Sequence, residues 1–315
     1  MNEFEFIRNI KKRYGTELIG DDCAVLPKDA ESDLLISSDL LVEDIDFRLD
    51  WTTPEMLGHK ALAVSLSDIA AMGGTPEWAF LSIAIPEALW NSKFLDHFYD
   101  GWHELANRCG VWLAGGDISR TPNRLVIDSI VGGTVATGQA VLRSGARPGD
   151  SVFVTGPLGG SAAGLRLLNQ GEKLGSTQYD SLLQKQLTPE PRGELGQQLR
   201  ERSALTSMID LSDGVSSDLA HICRASQVGA VIFANEIPFE AEVMEIAGSV
   251  DAMLDLALNG GEDFELLFTS PTEKISQLNF GDIFRIGEIT ETVGVIELER
   301  NGKREILPPS GYRHF

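Results

Sequence analysis

The sequence predicts an α/β (α+β) protein of about two domains. Helical and extended patterns alternate along the whole chain, which favours this class over an all-helical bundle. A length of 315 residues corresponds to about two domains of ordinary size. Because 43% of the residues are hydrophobic and 23% are charged, each domain has enough apolar side chains for a core, and intrinsic disorder is excluded.

In the first half, short apolar runs predict strands and two periodic segments predict helices. Thr53 and Pro54 are typical of a helix start, since Pro fits the first helical position, and Gly73 is typical of a helix end. A second, amphipathic helix closes before Gly110. The predicted strands are 33–41, 80–86, 111–114 and 125–131, and the predicted helices are 54–72 and 90–108.

The polar, turn-rich segment 138–150 predicts the domain boundary and gives domains at 1–138 and 139–315. The second domain opens with a strand at 151–155, a glycine turn and a helix from about Ser161. Asn301 and Gly302 form the dipeptide that type I′ turns prefer, which predicts a hairpin over 295–307. The other predicted elements are strands at 208–211, 264–269 and 284–289, and a helix at 216–227 stopped by Gly229.

The charge balance excludes several classes of partner. Forty-seven acidic residues outweigh 26 basic ones, and the net charge of −21 repels nucleic acid and anionic membranes. No apolar run approaches the roughly 20 residues that cross a bilayer, and the N-terminus lacks a signal-peptide core. Cys23, Cys109 and Cys223 are far apart and form no CxxC pair, so we expect a cytoplasmic protein without disulfides or a zinc site.

Several aspartates interrupt apolar segments that should form the core. A buried carboxylate is costly unless it is paired or binds a cation, and no Lys or Arg lies within these segments. One such aspartate is more often a turn or helix cap, but their shared placement favours a site for several Mg²⁺ ions, which prefer carboxylate and hydroxyl ligands. The aspartates concerned are Asp21, Asp22, Asp39, Asp68, Asp117, Asp210 and Asp213, and the neighbouring hydroxyls are those of Ser37 and Ser38.

Several divalent cations imply a polyanionic ligand, most naturally a nucleoside triphosphate, although the usual nucleotide motifs are absent. The glycine turn at 156–161 lacks the Lys of a Walker loop and is more simply a tight strand-to-helix connection. The sequence contains no kinase HRD or DFG element, and the five histidines have no ligand spacing.

A series of short segments, taken in order, resembles the thiamine-monophosphate kinase family of the aminoimidazole ribonucleotide synthetase superfamily. The segments are GDDCAV, ISSDLLVE, KALAVSLSDIAAMG, AGGD, LRSGARPGD, IDLSDG, SDLAHI and GGEDFEL. The resemblance covers nearly the whole chain. It implies two domains, each a mixed β-sheet backed by helices. The N-terminal domain would bind ATP and several Mg²⁺ ions and form a homodimer through its sheet, and the C-terminal domain would complete the nucleotide and substrate site.

The resemblance also assigns nucleotide contacts to individual residues. Tyr99 falls at the position that stacks on adenine, where a plain core aromatic is the alternative. Gly116 and Asp117 would approach the nucleotide, Arg143 would grip phosphate with its planar fork, and Ser212 would touch ATP. The metal positions implied by the motifs are Asp22, Ser37, Ser38, Asp39, Asp68, Asp117, Asp210 and Asp213, of which Asp39, Asp68 and Asp210 are the catalytic candidates.

Glu262 and Tyr312 fall at the family's substrate-contacting positions, and Asp46 departs from its pattern. The family reads V-E-G-V-H-F where this chain reads VEDIDF, so Asp46 replaces a histidine that contacts the substrate. An acid there repels a phosphate-bearing substrate unless a metal or the thiazolium cation intervenes. The departure concerns the acceptor substrate and leaves the ATP and Mg²⁺ positions unchanged.

The reaction implied is phosphorylation of thiamine monophosphate by ATP, through direct in-line transfer between phosphates. The acceptor oxygen is already anionic near neutral pH, so no general base is needed. One alternative is another enzyme of the superfamily, of the aminoimidazole ribonucleotide or selenophosphate synthetase type; the latter needs a reactive cysteine in a glycine-rich loop, which Cys23 lacks. A second alternative is an inactive relative that binds nucleotide or divalent cations.

Overall fold

Two mixed β-sheets with packed helices build the molecule, as seen in a computed structural model that describes residues 3–16, 18–202, 205–276 and 282–312. This architecture confirms the predicted fold class. The helices are α1 Glu3–Tyr14, α2 Pro54–Ala71, α3 Glu87–Trp90, α4 Phe94–Cys109, α5 Gly160–Asn169, α6 Asp180–Leu187, α7 Gly193–Arg202, α8 Val215–Ser226, α9 Ala241–Ala247, α10 Val250–Asn259 and α11 Thr272–Ser276. The strands are β1 Ala24–Pro27, β2 Ser32–Val42, β3 Thr75–Pro86, β4 Trp112–Thr121, β5 Val126–Ala136, β6 Ser151–Val154, β7 Ser207–Asp210, β8 Gly229–Phe233, β9 Leu266–Ser270, β10 Phe284–Thr290, β11 Ile296–Arg300 and β12 Lys303–Ile306.

The first sheet has the strand order β1-β2-β5-β3-β4, and only β3 and β4 run parallel. One face is covered, because its side chains, such as Leu35 and Leu81, pack into a core with α2 and α4. Alternate side chains of a strand point to opposite faces. The opposite face, called the open face below, carries exposed Leu40 and Phe80.

The second sheet has the order β12-β11-β8-β10-β6-β9-β7, and only β8 and β11 run parallel. Its core is built with α8 and α10, whose Leu219 and Leu258 pack against strand residues such as Leu267. The predicted hairpin is confirmed: Asn301 and Gly302 have φ angles of 52° and 74° and join β11 to β12.

Helix α2 lies between the two halves of the molecule, that is, between the part that carries the first sheet (residues 1–138) and the part that carries the second (residues 139–315). Thr53 caps it, its hydroxyl accepting from the amide of Met56, as the Thr-Pro start predicts. The helix is apolar on nearly all sides, because it packs against the first sheet and also contributes Ala70 and Ala71 to a core with β7 and β9. Acidic or hydroxyl side chains on α2 are therefore held at the contact between the halves.

One predicted helix is wrong in its extent. The segment 90–108 is not one helix: α3 ends at Trp90, and α4 begins at Phe94, whose amide is bound by the Ser92 hydroxyl at 3.1 Å. The predicted helix 216–227 is confirmed as α8 within one residue at each end, although its left-handed cap is Gln227 (φ 56°) rather than Gly229. Among the described helices, none combines the length and apolar character needed to cross a membrane.

Candidate active site

Three aspartates from distant parts of the chain converge where α2 meets the second half. Asp22 precedes β1, Asp68 lies in α2 and Asp210 ends β7, and one oxygen of each lies within 4.8 Å of the others. Burial, followed by repulsion from Asp39 and Asp210, raises the pKa of Asp68 well above its ordinary value. Burial and the Asp22 charge raise the pKa of Asp210 to about 7. Such a cluster needs protons or a cation to offset its charge.

Serine hydroxyls surround this cluster and bring Asp39 into it. Ser37 donates to Asp68 and lies 3.4 Å from Asp39 Oδ2, both on the covered side of β2. Ser67 in α2 donates to Asp210 Oδ2 at 2.6 Å. Burial raises the pKa of Asp39, and hydrogen bonds from Ser65 and Ser37 oppose that rise. Carboxylates and hydroxyls together form a donor set that suits a hard cation.

Arg143 is a cationic group that contacts the cluster. Its Nη2 donates to Asp22 Oδ1 at 2.7 Å, and its backbone amide donates to Asp21 Oδ1 at 2.7 Å. Burial alone would lower its pKa, but Asp22 and the neighbouring carboxylates hold the pKa of Arg143 above its ordinary value. Among the described residues, Asp22 Oδ2 and Arg143 Nε are buried without a hydrogen-bond partner. An orphaned acceptor and an orphaned donor fit a bound cation and a bound phosphate.

Two predicted metal positions lie on the open face of the first sheet, not beside this cluster. Ser38 alternates with Ser37 and Asp39 along β2, and its hydroxyl donates to Asp128 Oδ1 at 3.1 Å. Asp117 in β4 is exposed; its register partner is Ser82, which also pairs with Asp128. Asp128 was not predicted, although it interrupts an apolar strand in the same way as the other candidates.

The loop after β7 carries Asp213 and is shaped by a second acid that was not predicted. Asp218 in α8 is buried and accepts from the amides of Asp213 and Gly214 at 3.2 and 3.0 Å. Burial, then Asp213 and Asp210, raise the pKa of Asp218 well above its ordinary value. Its position directly before the apolar residues Leu219 and Ala220, on the buried side of α8, is the signal that could have found it.

The predicted nucleotide residues are spread over both halves. Tyr99 in α4 is half-buried, packs on the first core and meets Phe98 edge-on at 5.7 Å. Gly116 in β4 is exposed, and a Cβ there would lie 1.9 Å from the Leu81 carbonyl oxygen, so only glycine fits. Ser212 is exposed in the loop after β7, and its carbonyl accepts from the Glu262 amide at 2.9 Å.

The three predicted substrate residues gather beside that loop. The Tyr312 amide donates to the Asp213 carbonyl at 3.1 Å. Partial burial raises the pKa of Tyr312, and the nearby charges of Asp46, Glu262 and Asp213 raise it further. Asp46 closes a turn, since its Oδ2 accepts from the Val42 amide at 2.8 Å. The structure thus brings Asp46, Glu262 and Tyr312 to one place.

The glycine turn before α5 is filled by a side chain of the protein itself. Asp263 accepts from the amides of Gly159 and Ser161 at 2.6 and 3.1 Å. The amides that a phosphate loop would offer to a ligand are therefore already bound. This agrees with the turn being a tight connection.

The AIR synthase related protein family matches the chain in two parts, the N-terminal domain over residues 20–139 and the C-terminal domain over residues 147–298. The thiamine-monophosphate kinase of Escherichia coli (strain K12) is 39% identical over 98% of this chain and 95% of that protein, and that of Bacillus subtilis (strain 168) is 36% identical over the full length of both. A solved structure of AaThiL complexed with AMPPCP and TMP is 33% identical, with a TM-score of 0.89, covering 100% of this chain and 97% of that one. The chain therefore belongs to the AIR synthase related family and, within it, to the thiamine-monophosphate kinases.

Proposed function

We propose that the protein transfers the γ-phosphoryl group of ATP to thiamine monophosphate, giving thiamine diphosphate and ADP. The observation that carries this proposal is the convergence of Asp22, Asp68 and Asp210 beside Arg143. Full-length relatives named thiamine-monophosphate kinase, and a similar structure complexed with AMPPCP and TMP, support the same reaction. The halves 1–138 and 139–315 would act as two domains that share this site.

Mg²⁺ is the cation that the acidic cluster suits. When bound, it would neutralise phosphate charge. We assign Asp22, Ser37, Asp39, Asp68 and Asp210 to the buried group, where the orphaned Asp22 oxygen supports a ligand role. Ser38, Asp117 and Asp213 remain further candidate ligands. Of these residues, Asp39, Asp68 and Asp210 are the proposed catalytic aspartates.

We assign the nucleotide to Tyr99, Gly116, Asp117, Arg143 and Ser212. Arg143 would exchange partners on binding: as Asp22 turns to a cation, the guanidinium becomes available to a phosphate oxygen. The attacking oxygen belongs to the acceptor phosphate and is anionic near neutral pH, so the chain needs no general base. Its residues align two polyanions and offset their charge.

We assign the acceptor to Asp46, Glu262 and Tyr312, which lie together beside Asp213. An acidic and aromatic setting suits the cationic thiazolium ring of thiamine monophosphate better than its phosphate. Asp46, which stands where the family pattern V-E-G-V-H-F has histidine, would therefore face the cationic part of the acceptor.

The test is ADP release from Mg²⁺-ATP with and without thiamine monophosphate, with product identified by chromatography. We expect thiamine diphosphate to form in step with ADP and only when both substrates are present. ADP release without the acceptor, or activity only on another monophosphate, contradicts the proposal.

The alternative of a selenophosphate synthetase would need a reactive cysteine. Cys23 does not favour it, because burial and the Asp68 charge raise the pKa of its thiol well above the ordinary value.

We further propose a homodimer joined through the open face of the first sheet. This face exposes large apolar side chains, Leu40 and Phe80 among them, which a second copy would cover.

We also propose a cytoplasmic location. The three cysteines are all free thiols, which suits the reducing cytoplasm.

A further inference from the structure

A buried lysine links the two halves of the molecule next to Glu262. Lys60 lies in α2 with 5% of its side chain exposed, and its Nζ lies 2.9 Å from Oε1 and 3.0 Å from Oε2 of Glu262. It also donates to the backbone carbonyl of Gln186 at 3.1 Å. Since an ammonium group has three donors, these contacts engage all of them.

Glu262 is held from the other side as well. Its φ of 66° is a left-handed conformation that is uncommon for a residue with a side chain. The Gln186 amide Nε2 donates to Glu262 Oε2, and Gln186 in turn accepts from the Ser161 hydroxyl. The carboxylate is thus fixed by groups from α2 and α6, the latter held in turn by α5, while 28% of the side chain stays exposed.

We propose that Lys60 is a positioning residue that orients Glu262, and offsets its charge, for binding of the phosphorylated acceptor. The inference rests on the proposed function, in which Glu262 contacts the acceptor. The acceptor carries an anionic phosphate as well as the cationic thiazolium, so a Glu262 carboxylate that is fixed in direction and partly offset by Lys60 can face the thiazolium without repelling the phosphate. Removing only the lysine leaves Gln186 Nε2 as the remaining side-chain donor described for a mostly buried carboxylate, so Glu262 is free to turn away from its native direction. Lys60 acts through Glu262 and touches no reacting atom.

A double-mutant cycle tests this role. Lys60→Met, Glu262→Gln and the double variant are compared by the KM for thiamine monophosphate, the KM for ATP and kcat. We expect Lys60→Met to raise the acceptor KM about ten-fold or more and the ATP KM less than about two-fold. In the Glu262→Gln background the same change should alter the acceptor KM by less than about two-fold, because no carboxylate is left to orient.

Lys185→Met is the matched control, since Lys185 forms a part-buried pair with Glu240 at 3.1 Å in the same half of the molecule. It should leave both KM values unchanged. The proposal is overturned if Lys60→Met raises both KM values alike, or if its effect is the same in both backgrounds.

If Lys60→Met alone fails to fold, the double variant decides, because it contains no unpaired carboxylate. A folded double variant with the acceptor KM of Glu262→Gln supports the proposal, and an unfolded one overturns it by showing a purely structural lysine. A wild-type protein that does not phosphorylate thiamine monophosphate instead overturns the proposed function, and this is seen before any variant is made.

Discussion

Burial changes what a single aspartate can do. Asp68 lies on a helix packed between the two halves, where its charge is opposed by desolvation and by Asp39 and Asp210. Asp251, by contrast, is an exposed acid on α10 that pairs with Arg300 at the surface. The same residue type therefore affects the stability of the folded state differently in the two places. A surface charge costs little free energy, while a buried one is unfavourable unless a cation or proton accompanies it.

Replacement of Asp68 by Asn should separate activity from stability. We expect kcat to fall by about 100-fold or more, the scale of removing a preorganised electrostatic group from an active site. In EDTA the variant should melt at a higher temperature than wild type, because one repelling charge is gone. Steady-state assays and thermal melts with and without Mg²⁺ measure both effects. Asp251→Asn is the control, and full activity of Asp68→Asn would refute the metal-site assignment.

At the scale of elements, two glycines set how closely α2 and α4 approach. A Cβ on Gly58 would lie 1.9 Å from the Phe98 carbonyl oxygen, and one on Gly101 would lie 1.9 Å from that of Glu55. The helices therefore touch backbone to backbone. This contact fixes α2, which carries Lys60, Ser67 and Asp68.

Gly58→Ala should force these helices apart and destabilise the protein by about 1–3 kcal/mol, as overpacking a core commonly does. Urea unfolding measures the change. Gly193→Ala is the matched control, since a Cβ on Gly193 at the start of α7 meets open space. A Gly58→Ala variant as stable as Gly193→Ala would show that α2 and α4 can separate without loss of packing.

At the scale of the whole molecule, the cluster should couple stability to pH. Asp210 has a folded pKa of about 7 against an ordinary value of 3.8. Above pH 7 it is ionised in both states, and burial penalises the folded one. As the pH falls below 7, the folded state takes up a proton and the penalty shrinks steadily until the pH reaches the ordinary pKa. The contribution of Asp210 to stability without metal therefore rises as the pH falls from 8 to 5.

We expect Asp210→Asn to be more stable than wild type in EDTA at pH 8, with a difference that shrinks towards pH 5. Melting temperatures across this range measure it. Mg²⁺ should stabilise wild type more at pH 8 than at pH 5, because a cation and protons compete for the same carboxylates. A difference between the two proteins that does not change with pH would contradict the assigned cause.

The proposed dimer makes a separate prediction. Leu40→Glu places a charge on the open face of the first sheet and should convert the protein to a monomer in sedimentation velocity. Ile306→Glu is the control, because Ile306 in the second sheet is comparably exposed, at 65% against 59% for Leu40. A Leu40→Glu variant that remains dimeric would place the interface elsewhere.

The sequence alone determined the fold class, most strands and the α2 start, because these depend on local apolar periodicity, turn dipeptides and caps. It also singled out Asp22, Asp39, Asp68 and Asp210, since an acid in an apolar segment is a local signal. The break between α3 and α4 escaped it, because a polar turn inside an amphipathic segment leaves the helical periodicity nearly intact.

Only the tertiary structure decided which of these residues meet. Strand alternation and sheet register place Ser37 and Asp39 on the covered side and Ser38 on the open face, although the three are adjacent in sequence. The packing of α2 against the second half brings Asp68 to Asp210 and Lys60 to Glu262, partners separated by more than a hundred residues. Such contacts depend on how distant elements pack, which no local pattern in the chain records.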